Sequence, residues 1–591
     1  MDYMSDAEYR AWHLQCIKNL SQEQTRSLGK ELEARACERG DHPAIIYNNE
    51  IITYQEFNRQ ANRRAHFFAG QGFKKGDVIA VLMNNRPEYL YSVAGLSKLG
   101  VVVALLNTGL RGEVLAHGIN LVEARAIIVG DEYRALFDGI ADRLRLRAPG
   151  KIYLQAGPET PTAPYEDLTA GLQAVRSENP LTTEEISSRD VLAIIYTSGG
   201  QGPRKAVPVL QQRWLSAGHK AAAFCHMQAD TIQYMCLPLY LNSGFNACLA
   251  GMIITGSTMV LKERFSVQHF WEEIDRCRAN YLVGVGEMCR YLYSQPEQSN
   301  DQNHPLETVI CNGMWGKLLE PFRQRFALKH VIEIYGTSEG VGTLINHEEI
   351  PNMCGNLTLG GMRQGEVARC NFQDGQISRD QEGRVIICKP GETGTLLLRI
   401  SALEPYTGYV NEPEATESRV VRDAFEPGDA YFNTLDLMEL FAGDYISFVD
   451  RLGDTYRWKG ITVSAHQVAD VVVKYMGAVE DAVAFGVKIP TLEGRCGMVA
   501  LRLIPGEKMN WKQFLQYINS RMPEHARPIF IRVVENGETD PLEELKTRLK
   551  NEGYDPRQTK DMILYLDPEK EAYLPLTRER HDEIIAGKVR F

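Results

Sequence analysis

Seven short apolar runs in the first 340 residues constrain the fold of this 591-residue chain more than any other feature. They are Val78–Met83, Val101–Leu106, Ala126–Val129, Val191–Tyr196, Tyr281–Val285, Thr308–Cys311 and Val331–Tyr335. Most are too short for helices and lack polar alternation, which is the pattern of strands buried on both faces. Amphipathic stretches such as Tyr54–Gln71 and Val267–Asn280 lie between several of them. Strands alternating with helices predict βαβ units, right-handed crossovers and a mostly parallel sheet in one large α/β body. Beyond about residue 355, Gly and Pro become dense (KPGETGTLLLRI, FEPGDAYFNTLDL) and the strands read as short and alternating, as in an antiparallel sheet or barrel. From Asp450 onward an α+β pattern follows: helix-like Ala465–Tyr475, strand-like Ala482–Val487 and Met498–Ile504, helix-like Trp511–Arg521. Residues 450–591 are therefore expected to form a separate small domain behind a body of residues 1–449.

Composition narrows the function. With 44% hydrophobic and 24% charged residues, the chain can build several cores and is not globally disordered. The balance of 65 Lys+Arg against 76 Asp+Glu, a net charge of -11, argues against a nucleic-acid partner. The 12 cysteines are scattered without a CxxC pair or Cys/His cluster, so neither a zinc site nor a disulfide framework is expected. The segment MDYMSDAEYRAWHLQC lacks the apolar core of a signal peptide. No run of about 18 apolar residues predicts a spanning helix. A cytoplasmic protein is expected, with peripheral membrane contact left open.

Three segments carry candidate chemistry. Tyr196-Thr-Ser-Gly-Gly-Gln-Gly-Pro-Arg-Lys205 follows a buried-strand run. Gly199, Gly200 and Gly202 let backbone N–H groups approach an anion, Thr197 and Ser198 add hydroxyls, and Arg204 and Lys205 add charge. It is not a Walker loop, because no GK[ST] follows at the required spacing. A plain Gly-rich turn is the competing reading.

Tyr335-Gly-Thr-Ser-Glu-Gly340 also ends a strand run. It fits G-x-S-x-G, the nucleophile elbow of a serine hydrolase using Ser338. It equally fits a turn whose hydroxyls and Glu339 hold a phosphate and its Mg²⁺ at a strand's C-terminal edge. The elbow requires a helix directly after the serine, whereas Val341-Gly-Thr-Leu-Ile is Gly- and β-rich. The third segment joins Thr434-Leu-Asp436 to Asp450-Arg-Leu-Gly-Asp-Thr-Tyr-Arg-Trp-Lys-Gly460. Alone, each of its acids would be a turn cap or a solvated pair.

The order of these segments resembles the ANL adenylate-forming superfamily, and within it the very-long-chain acyl-CoA synthetase and fatty acid transport protein branch. The resemblance spans nearly the whole chain: CLPLY (236–240), GEMCRYL (286–292), CNGM (311–314), GDAYFNTLDL (428–437), VDRLGDTYRWKG (449–460), EGRCGM (493–498), MPEHARPIFIRV (522–533), EGYDP (552–556) and the closing YLPLT and GKVRF. It implies two α/β lobes and a β-rich lobe, followed by a small mobile α+β C-terminal domain. It implies an acyl-CoA synthetase that joins a fatty or other hydrophobic carboxylic acid to AMP and then to coenzyme A, with ATP and Mg²⁺ as cofactors. By motif, the loop of Thr197, Ser198, Gly199, Gly200, Gln201, Gly202 and Lys205 would cradle phosphates. Tyr335, Gly336 and Thr337 would lie along the nucleotide, with Tyr335 against adenine. Ser338 would bond the α-phosphate, Glu339 would hold the metal, Asp436 and Arg451 would bind ribose, and Asp450 would be the hinge. Candidate acyl-pocket residues lie at Phe245, Asn246, Gly286, Met288 and Met314, although apolar residues at such places are more often core. A homodimer stays open.

Three departures fall on chemical positions. In the family loop T-S-G-T-T-G-x-P-K, two threonines are here Gly200 and Gln201, and the proline is Arg204. The family's P-L-Y-H reads Pro238-Leu-Tyr-Leu241. Counting back from Glu552-Gly-Tyr-Asp-Pro556, the family's T-G-T-F-K becomes Thr539-Asp-Pro-Leu-Glu543, so its adenylation lysine is Glu543. A unit charge 4 Å from another is worth about 4 kcal/mol at an effective dielectric near 20, so exchanging attraction for repulsion opposes adenylation strongly. Lys546, three residues on, is the available stand-in. The alternative reading is an ANL-fold homologue impaired in ATP activation that binds or transfers a pre-activated acyl thioester, as pseudo-ligase, acyltransferase or amide-forming enzyme.

Overall fold

The computed structural model describes residues 5–591 apart from 24, 149, 156–163, 198–203, 300, 315–317, 373–374, 453, 459–460, 476–477, 491, 493, 505, 535–541 and 590. All seven apolar runs form strands, distributed over two large sheets rather than one. In the first, Tyr165–Asp167, Lys151–Gln155, Ala126–Gly130, Val78–Leu82, Val102–Leu105 and Val191–Tyr196 run parallel in that order. Ala206–Leu210 closes the edge antiparallel to Val191–Tyr196. Pro208 is tolerated there because an edge strand has one side free of ladder bonds. In the second sheet, His330–Tyr335, Thr308–Asn312, Tyr281–Val285, Ile232–Met235, Thr258–Leu261 and Pro43–Tyr47 form the parallel centre. Short antiparallel strands, Leu344–Ile345 and Glu50–Thr53, flank it.

Helices cover these sheets because their apolar residues recur at helical spacing. Tyr54–Gly70 buries Tyr54, Phe57, Ala61, Ala65 and Phe68 on one face, and its entry is capped by the Thr53 hydroxyl accepting from the Glu56 N–H. Pro87–Leu99 starts with proline in its first turn and stops at Gly100, whose φ of 72° only glycine adopts freely.

The Gly/Pro-rich region forms an antiparallel sheet: Gly355–Asn356, Tyr445–Arg451, Ala430–Leu440, Thr393–Arg399 and Gly365–Ala368, with Val420–Arg422 beside Ala430–Leu440. Its core, including Leu396, Leu398, Phe432, Met438 and Ile446, is separate from that of the α/β lobes. Another independent cluster, drawn wholly from residues 456–591, fills the space between the helices Ala465–Val473, Trp511–Arg521 and Leu542–Glu552 and a five-stranded sheet. Together these give the ANL-type arrangement of two α/β lobes, a β-rich lobe and a small α+β unit. Among the described residues, no helix is long and apolar enough to cross a membrane.

Candidate active site

The Gly-rich segment is flanked by the antiparallel strands Val191–Tyr196 and Ala206–Leu210, with Tyr196 paired to Ala206. Its base is fixed on both sides: the Thr197 N–H donates to the Lys205 carbonyl (2.9 Å), and the Lys205 N–H donates to the Thr197 hydroxyl (3.1 Å). Ser198, Gly199, Gly200, Gln201 and Gly202 lie outside the described residues.

The YGTSEG segment leaves the strand His330–Tyr335 and returns through Gly340 (φ 68°) and Gly342 (φ 69°) to the strand Leu344–Ile345. No helix follows Ser338, so the geometry of a nucleophile elbow is missing and the hydrolase alternative loses its structural premise. The turn is clamped from behind by Arg213, which donates to the Ser338 carbonyl (2.8 Å) and to Asn242 Oδ1 (2.9 Å). Burial lowers the Arg213 pKa to about 10, which leaves the guanidinium charged at neutral pH. A Cβ at Gly340 would lie 1.9 Å from that guanidinium, so glycine is required there for space as well as for φ.

Glu339 is buried, and its carboxylate accepts from the Tyr409 hydroxyl (2.6 Å) with Arg419 Nη2 3.7 Å away. Burial, followed by the charge of Glu339, pushes the Tyr409 phenol up to about 12, so it remains a donor. The Lys205 ammonium stands 4.9 Å from the Tyr409 ring and pairs with Glu412 at 3.0 Å.

Asp436 is aimed by a bulge. Between the pairs Thr395↔Leu437 and Leu397↔Asn433, the strand Ala430–Leu440 carries extra residues, and Leu435 takes φ 61°. A left-handed leucine costs about 1–3 kcal/mol, the kind of strain that clusters at functional sites. The Thr434 hydroxyl accepts from the Asp436 N–H (3.0 Å), the Tyr335 hydroxyl donates to Asp436 Oδ2 (2.5 Å), and Arg451 Nε lies 3.5 Å from Oδ1. Burial raises the Asp436 pKa, opposed by Arg451 and Tyr335.

Thr197, Lys205, Tyr335, Gly336, Thr337, Ser338, Glu339, Asp436 and Arg451 all line one cavity of about 410 Å³, within the usual range for small-ligand sites. A second cavity of about 250 Å³ shares Asn312 and the whole segment Tyr335–Ser338 as its wall. Asn246 lines this second cavity. Phe245, Gly286, Met288 and Met314 line neither and sit in the packed interior. Gly286 is there for close packing, since a Cβ would lie 1.9 Å from the Gly313 carbonyl oxygen.

Asp450 is also outside the cavity. It is buried at the end of the strand Tyr445–Arg451, where its carboxylate accepts from the Arg451 N–H (2.8 Å). Burial raises its pKa to about 6. The neighbouring Val449 carbonyl accepts from Ser464, which caps the helix Ala465–Val473. Glu543 belongs to the helix Leu542–Glu552, and its side chain lies outside the described residues. One turn on, the Lys546 ammonium is 3.1 Å from Asp454, a residue of the larger cavity's wall.

The motif reading missed Tyr409, Arg419 and Arg213. They arrive from segments remote in sequence, and nothing in their local spacing marks them.

The larger cavity suits a phosphorylated ligand with its magnesium. Glu339 supplies one hard carboxylate, which is what Mg²⁺ needs beside phosphate oxygens, and the buried Thr337 hydroxyl has no partner among the described residues. A fold of two α/β lobes, a β lobe and a small α+β unit, with this cleft, is that of an adenylate-forming enzyme. Residues 32–402 match the family described as AMP-binding enzyme. The chain is 32% identical to the mouse (Mus musculus) long-chain fatty acid transport protein 6 over 552 residues, covering 92% of this chain and 88% of that protein. It is 32% identical to the medium/long-chain-fatty-acid–CoA ligase FadD6 of Mycobacterium tuberculosis over 570 residues, covering 95% and 92%. Among solved structures, the anthranilate CoA ligase AuaEII in complex with anthranoyl-AMP superposes with a TM-score of 0.73 at 18% identity, covering 89% of this chain and 97% of that one. The chain belongs to the AMP-binding enzyme family, in the branch of the fatty acid transport proteins and fatty-acid–CoA ligases.

Proposed function

We propose that this protein is an acid–thiol ligase that activates a carboxylic acid as its acyl-adenylate and passes the acyl group to coenzyme A. The observation that carries this reading is the shared wall. A polar cavity bearing Glu339, Lys205, Asp436 and Arg451 meets a second cavity at Tyr335–Ser338. An acid held in the second cavity would present its carboxylate across Ser338 to the α-phosphate of a nucleotide in the first. Attack forms the acyl–phosphate bond and releases pyrophosphate, and thiol attack on the acyl carbon then expels AMP. Such chemistry rests on positioning and charge neutralisation. Asp436 and Arg451 would take the ribose hydroxyls, Ser338 the α-phosphate, and the segment 197–205 with Lys205 the outer phosphates. Glu339, steadied by Tyr409, would hold Mg²⁺, which neutralises phosphate charge when bound. Residues 450–591 would move as a unit about Asp450.

The cation lost at Glu543 is supplied, in this reading, by Lys546, whose pairing with Asp454 already sets it at the edge of the nucleotide cleft. A second reading, in which ATP activation is lost and a pre-activated acyl group is bound or transferred, is favoured by Glu543 itself and by Gly200 and Gln201 in the loop. Acid-dependent release of pyrophosphate from ATP separates the two. The first expects release that falls at least 100-fold in Lys546→Met. No release by the native protein, with release appearing in Glu543→Lys, would select the second.

A further inference from the structure

Arg419 stands on the wall of the larger cavity with most of its hydrogen-bonding capacity unused. A guanidinium presents a fork of N–H donors and keeps its charge at any working pH. Among the described residues, only the Nε–H is hydrogen-bonded, to the Tyr409 hydroxyl (3.3 Å). Nη2 is 3.7 Å from Glu339 Oε1, and the buried Nη1 has no partner among them. Leaving such donors unpaired is unfavourable, and an anion in the cavity would relieve it. A structural ion pair closes up: Lys220 and Glu404, buried on the wall of the smaller cavity, meet at 2.6 Å. Here the two charges are kept apart. The Tyr409 hydroxyl donates to Glu339 Oε1 (2.6 Å) and accepts from Arg419, so it stands between them. Glu339 is thereby left for a cation and Arg419 for an anion.

The arm is also fixed in advance. Arg419 follows the short helix Pro413–Glu417, and its N–H donates to the Thr416 carbonyl (3.2 Å). Its own carbonyl accepts from the Asn433 N–H (2.8 Å), on the strand that bears Asp436. The guanidinium carbon lies 5.3 Å from the centre of the Phe432 ring, a cation–π contact that holds the head group in place. Tyr409 links it to Lys205, whose ammonium is 4.9 Å from the centre of the Tyr409 ring. Arg419 is thus grouped with Lys205 and Glu339 in the cleft.

We infer that Arg419 is a phosphate-binding residue of this site, its guanidinium fork taking oxygens of the β- and γ-phosphates of ATP beside Lys205. This rests on the reading of the larger cavity as the nucleotide site. A planar fork matches two phosphate oxygens at once, and charge-assisted bonds of this kind are short and strong. Arg419 acts on the phosphates directly, and not only by steadying Tyr409 and Glu339.

The test is calorimetric titration of the full-length protein with AMP and with α,β-methylene-ATP, which cannot release pyrophosphate, so binding is read independently of turnover. Each titration is run with Mg²⁺ and again in EDTA. Arg419→Gln should weaken α,β-methylene-ATP at least about 30-fold in both conditions and AMP by less than about 3-fold. Arg419→Lys, which keeps the charge without the fork, should fall between Arg419→Gln and the native protein. A folded Arg419→Gln protein that binds the analogue as the native one does would overturn the inference. So would equal losses for AMP and the analogue, or a loss seen with Mg²⁺ and absent in EDTA, since Arg419 would then act only through Glu339. The native protein decides the matter even if a variant does not fold: in EDTA it should bind the analogue more tightly than AMP, and the reverse order would overturn the inference. If the native protein binds neither ligand, the nucleotide reading of the cavity fails and the inference with it.

Discussion

Replacing Asp436 by Asn should weaken nucleotide binding without destabilising the protein, and the two signs together make the test sharp. The carboxylate is buried and oriented by the Leu435 bulge, with Oδ2 accepting from Tyr335 and Oδ1 facing Arg451 at 3.5 Å. It would offer a vicinal diol charged acceptors already desolvated and fixed in place. Hydrogen bonds to charged groups contribute about 1.5–3 kcal/mol, roughly a 10- to 150-fold change in Kd. The amide keeps an oxygen for Tyr335, so the strand geometry survives. Because burial raises the pKa of Asp436, removing its charge relieves a desolvation cost, and the free variant should unfold in urea at a concentration equal to or above the native midpoint. Calorimetric titration with AMP gives the affinity and circular dichroism the stability. A folded Asp436→Asn protein that binds AMP as tightly as the native one would refute the ribose assignment.

Three further outcomes follow from the geometry. Gly340→Ala forces φ 68° on alanine and drives its methyl into Arg213, breaking a charged bond to the Ser338 carbonyl; a loss of about 2–4 kcal/mol in urea unfolding is expected. Lys220 and Glu404 form a buried pair at 2.6 Å on the wall of the smaller cavity, so Lys220→Met should cost about 3–5 kcal/mol, and adding Glu404→Leu should recover most of it. Asp450 titrates near 3.8 when unfolded and at about 6 when folded, so the folded state holds the extra proton between those values. Its contribution is fullest at the acidic end and is lost as pH rises from about 4 to 6, on the order of 3 kcal/mol. The difference in unfolding free energy between Asp450→Asn and the native protein should therefore change across that window and be flat above pH 7.

The parallel strands were legible because burial on both faces leaves no polar alternation: runs such as Val191–Tyr196 could hardly be anything else. Ile232–Met235 and Thr258–Leu261 were not, since Gln233 and Thr258 interrupt short apolar stretches and gain their burial from neighbours remote in sequence. The division of these runs between two sheets was not legible from the runs themselves, because apolar runs record burial but not strand order. The turn at Tyr335–Glu339 was legible as a candidate site because hydroxyls and a carboxylate cluster at a strand's end. Its supports were not: Tyr409 reaches Glu339 across 70 residues. Ser216, on the wall of the smaller cavity, was not legible because the burial of a polar residue appears only in three dimensions.

A crystal structure of the protein grown with AMP and magnesium tests the central claim most directly. The account predicts the phosphate beside Ser338 and Thr337, with the ribose hydroxyls within about 3 Å of the Asp436 carboxylate. AMP bound elsewhere, or absent at millimolar concentration from a cleft whose walls keep their present positions, would contradict it.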